Sequence, residues 1–172
     1  MFAPGLLAGQ RILVTGGGTG LGAAMATRFA ELGAALVLAG RRAEVLEATA
    51  QTLRERGATV QTLPCDIRDA AAVEAMVGAA WADGPLTALV NNAAATFIAR
   101  TETLSPRAAD AILAPTLHGA MYATLAVGKR WVAGGHPGAV LSILSTSTIT
   151  GRAFTVPSAI AKAGLLAMTK SL

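Results

Sequence analysis

Short apolar runs alternate with helical stripes along almost the whole chain. Arg11–Thr15 is a β-rich run that ends in glycines. Leu21, Met25, Phe29 and Leu32 follow at steps of four, four and three, the spacing of one helix face, and Gly33 stops that helix. Ala35–Ala39 predicts a second strand, closed by Gly40. Val45, Leu46, Thr49 and Leu53 give the next helical stripe, with Gly57 as its stop, and Thr59–Leu63 reads as a third strand. Asp69 stands where it can cap a helix carrying Val73, Met76, Val77 and Trp81, and Leu86–Asn91 contains a fourth strand.

A long helical region follows. Ser105 and Pro106 form a cap with proline at the first helical position. Pro115 is expected to kink the segment or split it. The apolar face then resumes with Leu117, Met121, Leu125 and Val132. Ala139–Ser142 reads as a fifth strand, Ser145–Thr150 as a polar loop, and Ser158–Leu172 as the start of a last helix. This alternation predicts an α/β fold, a doubly wound parallel sheet with helices on both faces. The expected order is 3-2-1-4-5, Rossmann-like, with ligands bound at the switch between strands one and four. Residues 1–172 are expected to form a single domain, C-terminally incomplete, with later strands missing and one sheet edge exposed.

Composition narrows the class. Hydrophobic residues make up 53% of 172 and charged residues 14%, which suits one core built on a sheet buried on both faces. No uninterrupted apolar run has the length expected of a bilayer span, and Met1 to Gly9 lacks the positive head of a signal peptide. A cytoplasmic location is therefore expected. Cys65 is the sole cysteine, so neither an internal disulfide nor a cysteine metal cluster is expected, and two histidines give a metal site little support. The net charge of +4 is spread along the chain and aromatics are only 4%, which argues against nucleic acid and fits phosphorylated small molecules.

The candidate chemistry begins at Thr15-Gly16-Gly17-Gly18-Thr19-Gly20-Leu21-Gly22, between the first strand and first helix. Gly16 permits the tight turn, Gly20 lets backbone approach a pyrophosphate, and Gly22 lets the helix pack close to the sheet. The helix N-terminus supplies free N–H groups for phosphates, so Gly16, Gly18, Thr19, Gly20 and Leu21 are the expected contacts. An NAD site usually wants a carboxylate at the end of the second strand. Here Ala39-Gly40-Arg41-Arg42 has no acid until Glu44. A guanidinium beside the 2′-phosphate of NADP is the natural reading, with Arg41 the principal candidate and Arg42 second; the alternative is two solvated residues at a helix start. Asp66, followed by Ile67, lies where its carboxylate could accept from the adenine amino group, or could simply cap a helix. Asn91-Asn92-Ala93-Ala94 follows the fourth strand, where Asn92 can tie strand ends together and Ala93 leaves room for the nicotinamide ribose.

These motifs resemble the short-chain dehydrogenase/reductase family over nearly the whole chain. TGGGTGLG at 15–22, NNAA at 91–94 and SAIAK at 158–162 match it in order and spacing. Within it, 91–106, 116–131 and 156–172 look like the 2,4-dienoyl-CoA reductase branch. The resemblance implies an NADPH-dependent oxidoreductase of fatty acid metabolism that reduces an acyl-CoA thioester, and a homo-oligomer packed through the two long helices.

The resemblance also exposes departures. In the wider family a Ser, a Tyr and a Lys carry the chemistry; here Ser145 and Lys162 match, and Ser158 stands at the tyrosine position. The dienoyl-CoA branch places Ser there too, and moves its tyrosine to a position that is Ser147 here. Its asparagine corresponds to Thr96. The sole tyrosine, Tyr122, falls in the middle helical region. The expectation is that Ser145, Ser147, Thr96, Ser158 and Lys162 line the nicotinamide end, with Lys162 serving the ribose. His118 reads as a packed or surface helix residue, His136 as a loop residue, and Trp81 and Trp131 as core or interface anchors. Three outcomes stay open: a working NADP-dependent reductase, a cofactor-binding homologue without strong catalysis, and a fragment without function.

Overall fold

The computed structural model describes residues 2–172. Five strands, β1 (Arg11–Thr15), β2 (Ala35–Gly40), β3 (Val60–Pro64), β4 (Ala88–Asn91) and β5 (Ala139–Ser142), form one parallel sheet in the order β3-β2-β1-β4-β5. The doubly wound expectation is borne out. Strand period sends alternate residues to opposite faces, and both faces are apolar. Val14, Leu36 and Leu38 pack with Leu46 and Leu53 of α2 (Ala43–Arg54) and Ala26 of α1 (Gly20–Glu31). On the other face Leu13, Val37 and Leu89 pack with Val73, Met76 and Val77 of α3 (Ala70–Ala82). Burying each of these large aliphatic side chains contributes about 1.5–3 kcal/mol.

The helix signals act as read at several ends. Asp69 accepts from Ala71 N–H at 2.8 Å and caps α3. Ser105 accepts from Ala108 N–H at 3.2 Å and caps α4 (Pro106–Leu113). Two expectations hold only in part. Pro115 does not split the region: α4 runs through a π-helical turn at Ala114–His118 into α5 (Gly119–Gly134). A widened turn accommodates the ring and the missing N–H. The result is a 29-residue helical run from Pro106 to Gly134, which by length and composition alone is enough to cross a membrane. In this fold Ala123 and Val127 of that run lie in the core, and Trp131 donates its indole N–H to Leu86 O.

The second correction is helical phase. In α5 the buried side is Ala120, Ala123, Thr124, Val127 and Trp131, while Leu125 and Val132 are exposed. In α1 Leu21 is exposed, whereas Met25 and Phe29 pack against the core beside the buried Gly22 and Ala26, and Leu32 is buried just past the helix, so most of the expected face holds. Small residues bring both helices close to their neighbours, and Val127 and Trp131 of α5 and Met25 and Phe29 of α1 pack beside them. The polar segment at 145–150 contains one helical turn, α6 (Ser147–Thr150), and the last helix, α7 (Val156–Ser171), begins two residues before Ser158. β5 is an edge strand of the sheet, with Leu141 half-exposed.

Candidate functional site

Thr15 organises the crossing point of the fold. Its hydroxyl donates to Val90 O at 3.1 Å and accepts from Asn92 N–H and Ala93 N–H at 3.0 and 3.1 Å. Asn92 Nδ2 donates to Thr15 O at 2.9 Å and to Gly16 O at 3.3 Å. The ends of β1 and β4 are thus fastened together where the strand order reverses. Gly16 has φ +67° and Gly20 φ +53°, both in the left-handed region that favours glycine. A Cβ on Gly22 would sit 2.1 Å from Gly16 O, so only glycine lets α1 approach the loop this closely. Thr19 makes no side-chain cap, and the first turn of α1 has no acid, so among the described residues no capping side chain competes for its N–H groups.

A cavity of about 430 Å³ opens above this loop. Gly16, Gly18, Thr19 and Leu21 form one wall, Arg41 and Arg42 a second, and Asp66 and Ile67 a third. Asn92 and Ala93 line its far side, with Ala111 and Pro115 of the long helical run beside them. Gly20 is adjacent but not in the wall. Asp66 does not cap a helix. Its carboxylate is held by Arg68, whose Nε donates at 2.9 and 3.0 Å, and that pairing holds its pKa below the usual carboxylate range. Cys65 is part of the same wall, its thiol pushed up by burial first and then by Asp66 and Asp69, which disfavours the thiolate.

A second polar group stands beyond β5. Ser145 Oγ and Ser147 Oγ are 2.8 Å apart, and Ser147 is buried. Lys162 is buried on α7 and donates Nζ–H to Ile143 O, at the end of β5; burial pulls its pKa below the ordinary lysine value. Ser158 is half-buried one turn before Lys162, and Thr96 is exposed on the loop after β4. None of Thr96, Ser145, Ser147, Ser158 and Lys162 lines the cavity wall. Tyr122 packs against the core beneath α5, its ring 6.4 Å from that of His118, away from this group. Among the described residues, no side-chain hydrogen bond joins Lys162 to either serine of the pair.

Sequence reasoning missed three contributors. Arg68 joins the cavity wall, Thr15 supplies the central hydroxyl, and Thr116 fixes the loop by accepting from Ala95 N–H at 3.0 Å. A basic residue two positions after Asp66 was a readable signal for the first. The two threonines needed tertiary structure.

The model for short chain dehydrogenases matches residues 10–172. The chain belongs to the short chain dehydrogenase family. It is 44% identical over 172 residues to an uncharacterized oxidoreductase of Caenorhabditis elegans, covering 98% of this chain and 55% of that protein. A probable 2,4-dienoyl-CoA reductase of the same organism is 42% identical over 172 residues, with the same coverage. A crystal structure of a short chain dehydrogenase from Bacillus anthracis superposes with a TM-score of 0.91 at 34% identity, over 95% of this chain and 68% of that one. The chain spans about half the length of the curated relatives it matches. Members of this family bind nicotinamide cofactors, which agrees with the glycine loop and the crossing point of β1 and β4.

Proposed function

We propose that residues 1–172 form one NADP-binding domain of a short-chain reductase that delivers hydride to an enoyl- or dienoyl-CoA thioester. The observation that carries the choice of NADP is the end of β2. Arg41 and Arg42 stand there, exposed on the cavity wall, where an NAD site wants a carboxylate. The cavity fits a dinucleotide: the uncapped, acid-free first turn of α1 suits a pyrophosphate, and a Cβ on Gly16 would press to 3.0 Å from Asn92 Nδ2. Gly16, Gly18, Thr19, Gly20 and Leu21 would hold the pyrophosphate, Arg41 and Arg42 the 2′-phosphate, and Asp66 with Ile67 the adenine. Asn92, Ala93 and Lys162 would hold the nicotinamide ribose. When bound, NADPH supplies the hydride.

The chain's own part in the reaction is to stabilise and protonate the enolate that hydride addition leaves on the thioester. In the Ser145–Ser147 pair one hydroxyl donates to the other, which leaves one proton free to aim at a substrate oxygen. Thr96 and Ser158 flank that position in the proposed arrangement. A serine hydroxyl is a much weaker acid than a phenol, so water is the source of the final proton. The CoA thioester is suggested by the similarity to the probable 2,4-dienoyl-CoA reductase of Caenorhabditis elegans and by the resemblance at 91–106 and 156–172. The exposed residues Met121, Leu125 and Val132 on α5 offer a face for a homo-oligomer.

A second reading, a cofactor-binding homologue with weak catalysis, is favoured by the position of Tyr122 in the core instead of beside Lys162. Fluorescence titration with NADPH and NADH tests the cofactor, and steady-state NADPH oxidation with a dienoyl-CoA and with simple ketones tests the chemistry. Tighter binding of NADPH with turnover of the thioester supports the first reading. Tight NADPH binding without turnover of either substrate supports the second, and indifference between the two coenzymes overturns NADP.

A further inference from the structure

Asp66 and Arg68 form a closed pair at the cavity wall. Arg68 Nε donates to both carboxylate oxygens at 2.9 and 3.0 Å, and its terminal nitrogen donates to Oδ2 as well. The Arg68 backbone N–H reaches Oδ1 at 3.1 Å, so the turn itself holds the carboxylate from a second direction. Both residues share the cavity with Arg41 and Arg42. Arg41 stands near enough for its charge to act on the Asp66 carboxylate, and it makes no ion pair among the described residues.

This arrangement resolves an electrostatic conflict. An anion at the arginines needs their guanidiniums free. A bare carboxylate in the same cavity would draw Arg41 to itself and repel that anion. With Asp66 satisfied by Arg68, the carboxylate presents little net charge to Arg41 and leaves that guanidinium free for the anion.

Resting on the reading that Arg41 receives a 2′-phosphate, we propose that Arg68 is a positioning residue for coenzyme choice, holding Asp66 so that Arg41 stays unpaired and its corner of the cavity stays positive. NADPH, which carries the extra phosphate, feels this charge. NADH does not. A merely structural role for Arg68, by contrast, would weaken both coenzymes together through the adenine site they share.

The test is fluorescence titration of NADPH and NADH at low ionic strength against the full chain and its Arg68→Ala, Arg68→Lys, Asp66→Asn, Asp66→Asn/Arg68→Ala and Arg41→Ala variants. Arg68→Ala is expected to weaken NADPH about fivefold and NADH by less than about twofold, the scale of one exposed ion pair, and added salt is expected to shrink the difference. Arg68→Lys is expected to fall between, because it keeps the charge and loses the fork. Asp66→Asn/Arg68→Ala is expected to bind NADPH as Asp66→Asn does, since no carboxylate remains to be held. The Asp66 carboxyl, followed by NMR titration, is expected to move up in Arg68→Ala. Equal weakening of both coenzymes, or no recovery in the double variant, overturns the inference. Loss of NADPH affinity in Arg41→Ala beside an unresponsive Arg68→Ala overturns this inference alone. A native chain that binds both coenzymes equally, or an Arg41→Ala variant that binds NADPH unchanged, overturns the 2′-phosphate reading and this inference with it.

Discussion

Asn92 reaches back across the switch point to Thr15: its Nδ2 donates to Thr15 O at 2.9 Å while its backbone N–H donates to the Thr15 hydroxyl at 3.0 Å. Two strands that are distant in sequence are locked at the place where the cavity opens. Asn92→Ala removes the side-chain half of this lock and leaves Thr15 O short of a partner. The expected cost is about 1–2 kcal/mol of folding stability, read from urea denaturation, with NADPH affinity falling in parallel because the loop at Gly16 loses its second anchor.

The glycines of the loop separate into two physical kinds. Gly22→Ala forces a Cβ onto Gly16 O and must lift α1 from the loop, so coenzyme binding is expected to be lost with about 1–3 kcal/mol of stability. Gly20→Ala meets no neighbour within 4 Å and bears only the cost of φ +53°, about 1–2 kcal/mol, with the loop in place. Thermal unfolding with and without NADPH distinguishes them. Equal retention of binding in both variants would contradict the close-packing role of Gly22.

Lys162 should impose a slope on stability against pH. Its pKa in the fold is lowered by burial from 10.5, so between the lowered value and 10.5 the unfolded chain binds more protons than the folded one. Stability from this group therefore rises as pH climbs through that window and levels above it. Lys162→Met removes the titration, and its urea midpoint is expected to lack this alkaline rise, although Ile143 O loses its donor. A wild-type midpoint that falls across the same window would contradict the burial.

Ser158 lies one helical turn before Lys162 on α7, the spacing that brings two side chains together. Ser158→Tyr would place a phenol beside a buried ammonium, which favours its ionised form. Turnover of simple ketones with NADPH is expected to rise on the order of a hundredfold over the parent chain. Unchanged NADPH oxidation, with coenzyme binding intact, would show that the serine pair already sets the limit or that the phenol cannot reach the substrate.

Much of this architecture is visible in residue order. The strands are short β-rich runs between glycines, and β1 and β5 fall at their expected bounds because the local pattern and the sheet agree. Helix existence was legible, and so was the buried face of α2 and α3, whereas the phase of α5 was not. Counting large apolar residues put Leu125 and Val132 inside, yet close packing is achieved by Ala123 and Val127, and no propensity rule tells a small residue at a contact from one at the surface. The coenzyme half of the site was readable because it depends on backbone shape, and Gly16 and Gly22 announce that shape. The reaction end was less so. Ser145 and Ser147 do come within 2.8 Å, but Thr96 is exposed, and Lys162 points to Ile143 O, a partner set by tertiary packing.

The π turn at Ala114–His118 has a consequence for how this chain tolerates insertions and deletions. It behaves as a stored extra residue, so α4 and α5 are out of phase with a single regular α-helix. Removing the extra residue there would let the backbone close into an ordinary α ladder with α4 and α5 each keeping its face, because the widened turn already absorbs that residue. Removing one residue from α5 ahead of Trp131 meets no such reserve: everything beyond it would rotate by about 100° relative to α4, and Trp131 would swing away from Leu86. One deleted codon is therefore expected to be absorbed at the π turn and to be disruptive a few residues later.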